Sequence, residues 1–263
     1  MPETLAELKT LSKQIINGTT LLERIPQAQQ PGLSAGSEVL CSAAIICRGC
    51  PGTESEKREI YRTDDLIGEG RIQERFVREW AILSGRWFGD AISYLSSISQ
   101  AVDFGTESVV FFDVSMRLVR KFITLKHYNV LRLALDRVII HNALFPNASL
   151  KVTGFGLNPE NEFGIIAEQP YIEGVSVSES ERAAFMHNLG FEDAGEDFGM
   201  HLNYRTRNIY VGDINDYNVY KHRNGAIFVF DCDCRLNVPT LGCGGSWSFP
   251  APELDFSCPP AIC

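Results

Sequence analysis

The chain has 263 residues, with 24 Lys and Arg against 33 Asp and Glu, a net charge of −9 and 44% hydrophobic residues. That balance excludes a wholly disordered chain and allows one large domain or two modest ones. No apolar run approaches the roughly twenty residues of a membrane span, and the acidic balance argues against a nucleic-acid-binding surface.

Met1-Pro-Glu-Thr opens without the basic segment and apolar core of a secretion signal, so a cytoplasmic location is expected. Residues 1–20 read as a helix, since Leu5, Leu8, Leu11 and Ile15 recur at helical spacing. Residues 27–36, rich in Gln, Pro, Gly and Ser, read as a loop. The segment 40–47 is a short buried helix or strand, and periodicity does not decide. Residues 51–65 are polar and expected at the surface. Residues 71–84 read as a helix with Ile72, Phe76, Trp80 and Leu83 on one stripe. A further helix is expected over 91–102. From Asp103 the texture changes. Residues 109–113 and 116–123 are β-branched and aromatic runs around a polar turn, the pattern of a hairpin. Residues 130–144 form an apolar helix, and 150–157 and 163–169 two strands around Asn158-Pro-Glu-Asn161. Ser178, with Glu181 three residues on, caps a helix over 179–189. Short strands follow at 209–211, 218–220 and 226–230, the last pair turning at Asn224-Gly225. From Pro239 the chain reads as irregular.

Eight cysteines are too sparse for a disulfide scaffold. Cys47-Arg-Gly-Cys50 is a CxxC, but Cys232-x-Cys234 has the wrong spacing for a second zinc knuckle. Reduced thiols are the expectation; a zinc-dependent interaction domain using Cys41, Cys47 and Cys50 is the competing reading.

The chemically informative stretch is Val211-Gly-Asp-Ile-Asn-Asp-Tyr-Asn-Val219, followed by Ile227-Phe-Val-Phe-Asp-Cys-Asp233. Asp213 and Asn218 lie five apart, and Asp231 ends an apolar strand thirteen residues later. An unpaired carboxylate there would be costly, which favours a metal or a basic partner. Hard cations want such oxygen ligands, and a carboxylate beside an attacking hydroxyl can orient it and take its proton. Taken singly, Asp213 is a turn acid, Asn218 a turn cap and Lys121 part of a solvated basic edge with Arg117, Arg120 and Lys126. On an alternating strand Val119 and Lys121 share one face and Arg120 takes the other. Asp136 is placed to pair with Arg132 or Arg137 on its own helix, and His141 reads as a satisfied core histidine.

Together these segments resemble the protein-kinase-like superfamily. Leu135-Asp-Arg-Val-Ile-Ile-His-Asn-Ala-Leu-Phe-Pro146, Glu168-Gln-Pro-Tyr171 and Asp231-Cys-Asp-Cys-Arg-Leu-Asn237 are similar to the kinase-like domain of bacterial polyvalent proteins, from phages and mobile elements, over about residues 75–237. The resemblance implies an α+β, two-lobed fold with a small antiparallel-sheet N-lobe and a reduced, mostly helical C-lobe. Residues 1–100 would be a helical extension, 101–170 the N-lobe and 171–263 the C-lobe. It implies ATP and Mg²⁺ between the lobes, with Asp213 as catalytic base, Lys121 on the α- and β-phosphates, and Asn218 and Asp231 on the metal. Gly105, Thr106, Glu107 and Ser108 would cover the phosphates. Glu168, Gln169, Pro170 and Tyr171 would form the hinge that holds adenine. The acceptor would be a protein Ser, Thr or Tyr, or a small-molecule hydroxyl. Several departures are present, and those in the catalytic loop, the phosphate loop, the partner of Lys121 and the length after Asp231 motivate a pseudokinase as the alternative. Tyr210-Val-Gly replaces the usual His before the catalytic Asp, the phosphate loop has one Gly, and the helix after Lys121 offers no Glu to pair with it. Asp231-Cys-Asp233 lacks the usual Gly, and only 32 residues follow Asp231.

Overall fold

A computed structural model describes residues 34–50, 63–104, 107–126, 128, 130–195, 202–206 and 209–236. The expected helix at 1–20, most of the segment 51–65 and the tail from Pro239 lie outside these residues.

The order begins with two helices, α1 (Ser34–Gly49) and α2 (Thr63–Leu83). The stretch 40–47 is thus helical; Ala43, Ala44 and Cys47 are fully buried, as an apolar helix inside a core must be. Residues 34–36 open α1 rather than closing a loop. On α2 the buried stripe is Gln73, Phe76, Val77 and Ala81, while Leu83 is 64% exposed, because the stripe drifts around the helix as 3.6 departs from a whole repeat. Strand β1 (Trp87–Asp90) leads into α3 (Ala91–Ile98), which Asp90 caps by accepting from the Ser93 amide. The helix expected over 91–102 stops there: Gln100–Phe104 is strand β2. A hairpin of β3 (Ser108–Asp113) and β4 (Leu118–Thr124) follows, then α4 (Leu131–Leu144), β5 (Lys151–Leu157) and β6 (Phe163–Pro170).

These six strands form one sheet in the order β1-β5-β6-β4-β3-β2, antiparallel except for β1 against β5. Helices cover both faces. On one face Ile165, Ala167 and Val152 pack against Leu131, Ala134, Leu135 and Val138 of α4 and against α1 and α2. On the other Phe111, Phe122 and Ile166 pack under Ala91 and Leu95 of α3. Residues 34–50 and 63–104 therefore contribute helices and two strands to the same body as the sheet. Across the second face run Arg120, ion-paired to Asp113 at 2.6 Å and to Glu168 at 3.0 Å, and a hydrogen bond from Arg120 to Ser99. Arg120 thus takes the face opposite Lys121, as alternation requires.

The remaining described residues build a smaller body. Strand β7 (Val175–Ser176) precedes α5 (Glu179–Asn188), whose N-terminus has both halves of a capping box between Ser178 and Glu181. Then come β8 (Glu192–Asp193), β9 (Tyr204–Arg205), β10 (Ile209–Gly212), β11 (Val219–Lys221), β12 (Ile227–Val229) and β13 (Asp233–Leu236). They form two small antiparallel sheets, β13-β10-β9-β8 and β12-β11-β7. This part is therefore built mainly of short strands, where a mostly helical one was expected; its apolar runs are three or four residues long, too short for helices. Its core is Met186, Tyr204, Val211, Ile214, Val219 and Val229.

Gly164 on β6 tests the packing of the large sheet. A Cβ there would lie 2.3 Å from the Phe122 ring and 2.7 Å from the Ile123 carbonyl. Backbone cannot give way as a flexible side chain can. Gly164→Ala is expected to cost about 1–3 kcal/mol, seen as a lower midpoint in thermal or urea unfolding; an unchanged midpoint would contradict this packing.

Candidate active site

Pairing in the smaller body brings the distant acidic residues together. Strand β10 ends at Gly212, which pairs with Asp233 at the start of β13. Asp213, the next residue, thus emerges beside the 231–233 segment. Strands β11 and β12 pair Val219 with Val229, and the Phe230 amide donates to the Asn218 carbonyl. Asn218 and Asp231 therefore sit at the same open end of one hairpin. Two short ladders place at one spot residues that are eighteen apart in sequence.

Asp213 has a left-handed backbone with φ of 61°, a region that residues with a Cβ seldom enter. Its conformation is held from several sides. The Asp213 amide donates to Asn203 Oδ1 at 3.4 Å, and its carboxylate accepts from Asn215 Nδ2 at 2.7 Å and Asn218 Nδ2 at 2.9 Å. Gly212 is required just before it: a Cβ would meet the Tyr210 ring at 2.9 Å and Asn203 Oδ1 at 3.1 Å. Burial pushes the Asp213 carboxyl above its ordinary range, hydrogen bonds from Asn215 and Asn218 oppose this, and the charge of Asp231 adds to the rise. A raised carboxyl is a better proton acceptor once ionised.

Asp231 faces the large sheet. Lys121 Nζ lies 3.3 Å from its Oδ2 and Arg137 Nη2 3.6 Å from its Oδ1. Burial pushes the Asp231 carboxyl upward, but Lys121 and Arg137 outweigh it and hold the group below its ordinary value. Lys121 comes from β4 and Arg137 from α4, so this carboxylate ties the two bodies together. Asp136 pairs along its own helix with Arg132 at 3.7 Å. The ammonium of Lys121 thus meets Asp231, between β12 and β13, rather than a carboxylate from its neighbouring helix.

The other expected residues are distributed unevenly. Gly105 and Thr106 lie outside the described residues. Glu107 turns inward and accepts from Arg137 Nη1 at 3.0 Å and from the Tyr128 hydroxyl at 3.3 Å. Ser108 starts β3 opposite Ile123. Glu168 pairs with strands on both sides, Arg120 on β4 and Lys151 on β5, and its side chain goes to Arg120 on the face away from Lys121. Gln169 donates to the Ala148 carbonyl, and Pro170 closes β6 opposite Leu118. The Tyr171 amide donates to the Arg117 carbonyl, and its ring lies 4.6 Å from that of Phe112. Phe112 pairs with Val119, on the Lys121 face by alternation. The ladder thus absorbs much of the expected hinge; Gln169, opposite Val119, and Tyr171 are the hinge residues on the Lys121 side of the sheet, and Gln169 is buried there.

A cavity of about 20 Å³ lies behind these ion pairs, lined among others by Glu107, Arg137, His141 and Asp231. His141 Nε2–H donates to the Val229 carbonyl at 3.1 Å, and burial pushes its pKa down to about 4, so it is a neutral strut between α4 and β12. Asp233 pairs with Arg235 at 3.3 Å. Sequence reasoning missed Arg137, Asn203 and Asn215. Arg137 had a signal: it shares the apolar face of α4 with Ala134, Val138 and His141, where a guanidinium needs anionic partners.

Among the described residues no group of three or more His, Cys, Asp or Glu is arranged to hold a metal on its own. Asp231 and Asn218 can supply one carboxylate and one amide oxygen. Asn218 uses its Nδ2 on Asp213, while its Oδ1 accepts no hydrogen bond among the described residues. Such a pair suits a cation whose other ligands come from a phosphate-bearing substrate and water. At Cys50 the thiol donates to the Ile46 carbonyl, and burial pushes its pKa up to about 12, the environment of an unreactive core thiol. No helix among the described residues is long and apolar enough to cross a membrane.

A sheet carrying a buried lysine, a helix beneath it, and a carboxylate–amide–carboxylate set on short hairpins make a mixed α+β, kinase-like protein. The chain belongs to the family described as the serine/threonine/tyrosine kinase found in polyvalent proteins, whose model matches residues 70–238. No curated protein matches it.

The mutual effect of the two acids can be measured. Replacing Asp231 by Asn removes a like charge near Asp213 and leaves the Arg137 charge to act on it, so the Asp213 pKa is expected to fall toward its ordinary value. Carboxyl ¹³C NMR titration of both proteins would show this; an unchanged or raised Asp213 pKa would contradict the geometry.

Proposed function

We propose that the protein is an ATP- and Mg²⁺-dependent phosphotransferase, acting on a Ser, Thr or Tyr of a protein or on a small-molecule hydroxyl. The observation that carries this reading is the ion pair between Lys121 and Asp231, with Asp213 and Asn218 on the adjoining turn. Family membership supports it. In this reading residues 34–170 form the nucleotide-holding lobe and the rest of the described chain the lobe that carries the acids.

Lys121 would hold phosphate oxygens, as a compact ammonium buried against the sheet can. Asp231 and Asn218 Oδ1 would ligate Mg²⁺. The cation would supply charge neutralisation for the transferring phosphoryl group. Asp213 would accept the proton of the acceptor hydroxyl; its constrained backbone and two amide donors fix where its oxygens point. Ser108 and the loop before it would cover the phosphates, and Val119 and Tyr171 would border the base.

The pseudokinase reading is favoured by one observation: the Tyr171 and Phe112 rings lie against each other on the Lys121 side of the sheet, leaving little room between them. The two readings separate in one experiment. With Mg²⁺ and labelled ATP, Asp213→Ala is expected to lower label transfer or hydrolysis by about 10²–10⁴-fold, the usual share of a positioned base, while ATP still raises the melting temperature. Equal turnover in both proteins would remove the catalytic role, and ATP binding without any turnover would establish the pseudokinase. The wild-type acid limb is expected above the ordinary carboxylate range, because the raised Asp213 must be ionised and activity falls as pH drops through its pKa. A kcat/KM profile with its acid limb at or below that range would count against Asp213 as base.

A further inference from the structure

The guanidinium of Arg137 is a charged group largely enclosed beneath the large sheet. It stands on the core face of α4, its side chain is 17% exposed, and it lines the cavity beside Asp231. Three separate parts of the chain converge on it. Nε donates to the Cys232 carbonyl at 2.8 Å, Nη1 donates to Glu107 at 3.0 Å, and Tyr128 lies under the guanidinium plane at 5.6 Å. Nη2 lies 3.6 Å from Asp231, an ion-pair distance but longer than a hydrogen bond. A guanidinium carries five N–H donors in a planar fork, and Nη2 donates no hydrogen bond among the described residues. The group is held in place by its Nε while part of its fork stays underused.

The charges in ion-pair contact here are Lys121 and Arg137 against Asp231 and Glu107, with Asp233 and Asp213 adding negative charge from farther off. A phosphate chain entering here would add negative charge, so an anion must leave or be neutralised. Asp231 would be neutralised by a divalent cation. Glu107 is the anion able to leave, since its side chain is 43% exposed, whereas Arg137 is pinned by the Cys232 carbonyl. The two cations would then face the phosphates without a competing carboxylate. Arginine suits this role because its planar fork matches two phosphate oxygens at once.

Resting on the proposed phosphotransferase reading, we propose that Arg137 is a phosphate-holding residue of the nucleotide site, and that Glu107 occupies its guanidinium until the phosphates displace it. The helix beside the nucleotide thus contributes a cation to the substrate rather than a carboxylate to Lys121.

The test is calorimetric binding of ATP and of adenosine, both with Mg²⁺, to the full chain and its variants. Arg137→Met is expected to weaken ATP by about 10–100-fold, the range for losing a charge-assisted pair, and to leave adenosine unchanged. Arg137→Lys should recover part of the loss. Glu107→Gln is expected to tighten ATP by about two- to fivefold, the scale of a partly exposed ion pair, again with adenosine unchanged. An equal loss for ATP and adenosine in Arg137→Met, or no loss for ATP, would overturn the inference while leaving the phosphotransferase reading intact. Should Arg137→Met lack a cooperative melting transition, Glu107→Gln decides alone, and ATP binding that is unchanged or weaker than wild type would overturn the proposal. A wild-type protein that binds neither ligand would overturn the phosphotransferase reading and this inference with it.

Discussion

Asp231 carries one negative charge between two cations that come from different elements, Lys121 on β4 and Arg137 on α4. Lys121 and Arg137 are themselves largely enclosed, so two like charges there need an anion, although the half-exposed Asp231 is partly screened by solvent. The position of the large sheet relative to the small hairpins follows from this constraint. So does the position of Asp213, since the β10–β13 pairing carries it along with the 231–233 segment. His141 adds a neutral contact from α4 to β12 in the same seam. The seam is thus polar at its centre and apolar behind, an arrangement that holds two bodies in register while leaving charged groups beside solvent.

A second polar network, on the opposite face of the sheet, has a different character. Arg120 lies between Asp113 and Glu168, and all three are satisfied within the protein. Hydrogen bonds from Arg120, Ser115 and the Met116 amide hold the Asp113 carboxyl well below its usual range. Neighbouring residues on one strand, Arg120 and Lys121, therefore have opposite fates. One is committed to structure under α3, and the other is paired with a half-exposed carboxylate. Strand alternation separates them, and only one of the two faces has the acids of the small hairpins opposite it.

Much of the architecture was legible in the sequence because it rests on short-range patterns. The hairpin around residues 114–117, the apolar α4, the pair β5 and β6, and the Ser178–Glu181 capping box all follow from local spacing and turn chemistry. The failures are equally local in origin. The stretch 99–104 continues an apolar texture that suits a helix or a strand, and its pairing with β3 decides the matter. The strand β1 is four residues long and gains its place only from β5, some seventy positions later. No window of sequence contains that partner.

Residue types and their order carried the resemblance to the kinase-like superfamily, and that resemblance pointed to Asp213, Asn218, Asp231 and Lys121 as the groups to watch. Residue order also determined that Lys121 and Arg120 would part to opposite faces, because a strand leaves no choice. Only the tertiary structure decided which charge meets which. That Lys121 finds Asp231 and not Asp136, that Glu168 turns to Arg120, and that Arg137 reaches Glu107 and Cys232 depends on how the hairpins dock under the sheet. Ion pairing is a matter of distances of a few ångströms between elements far apart in the chain, and spacing along a single strand or helix carries no record of them.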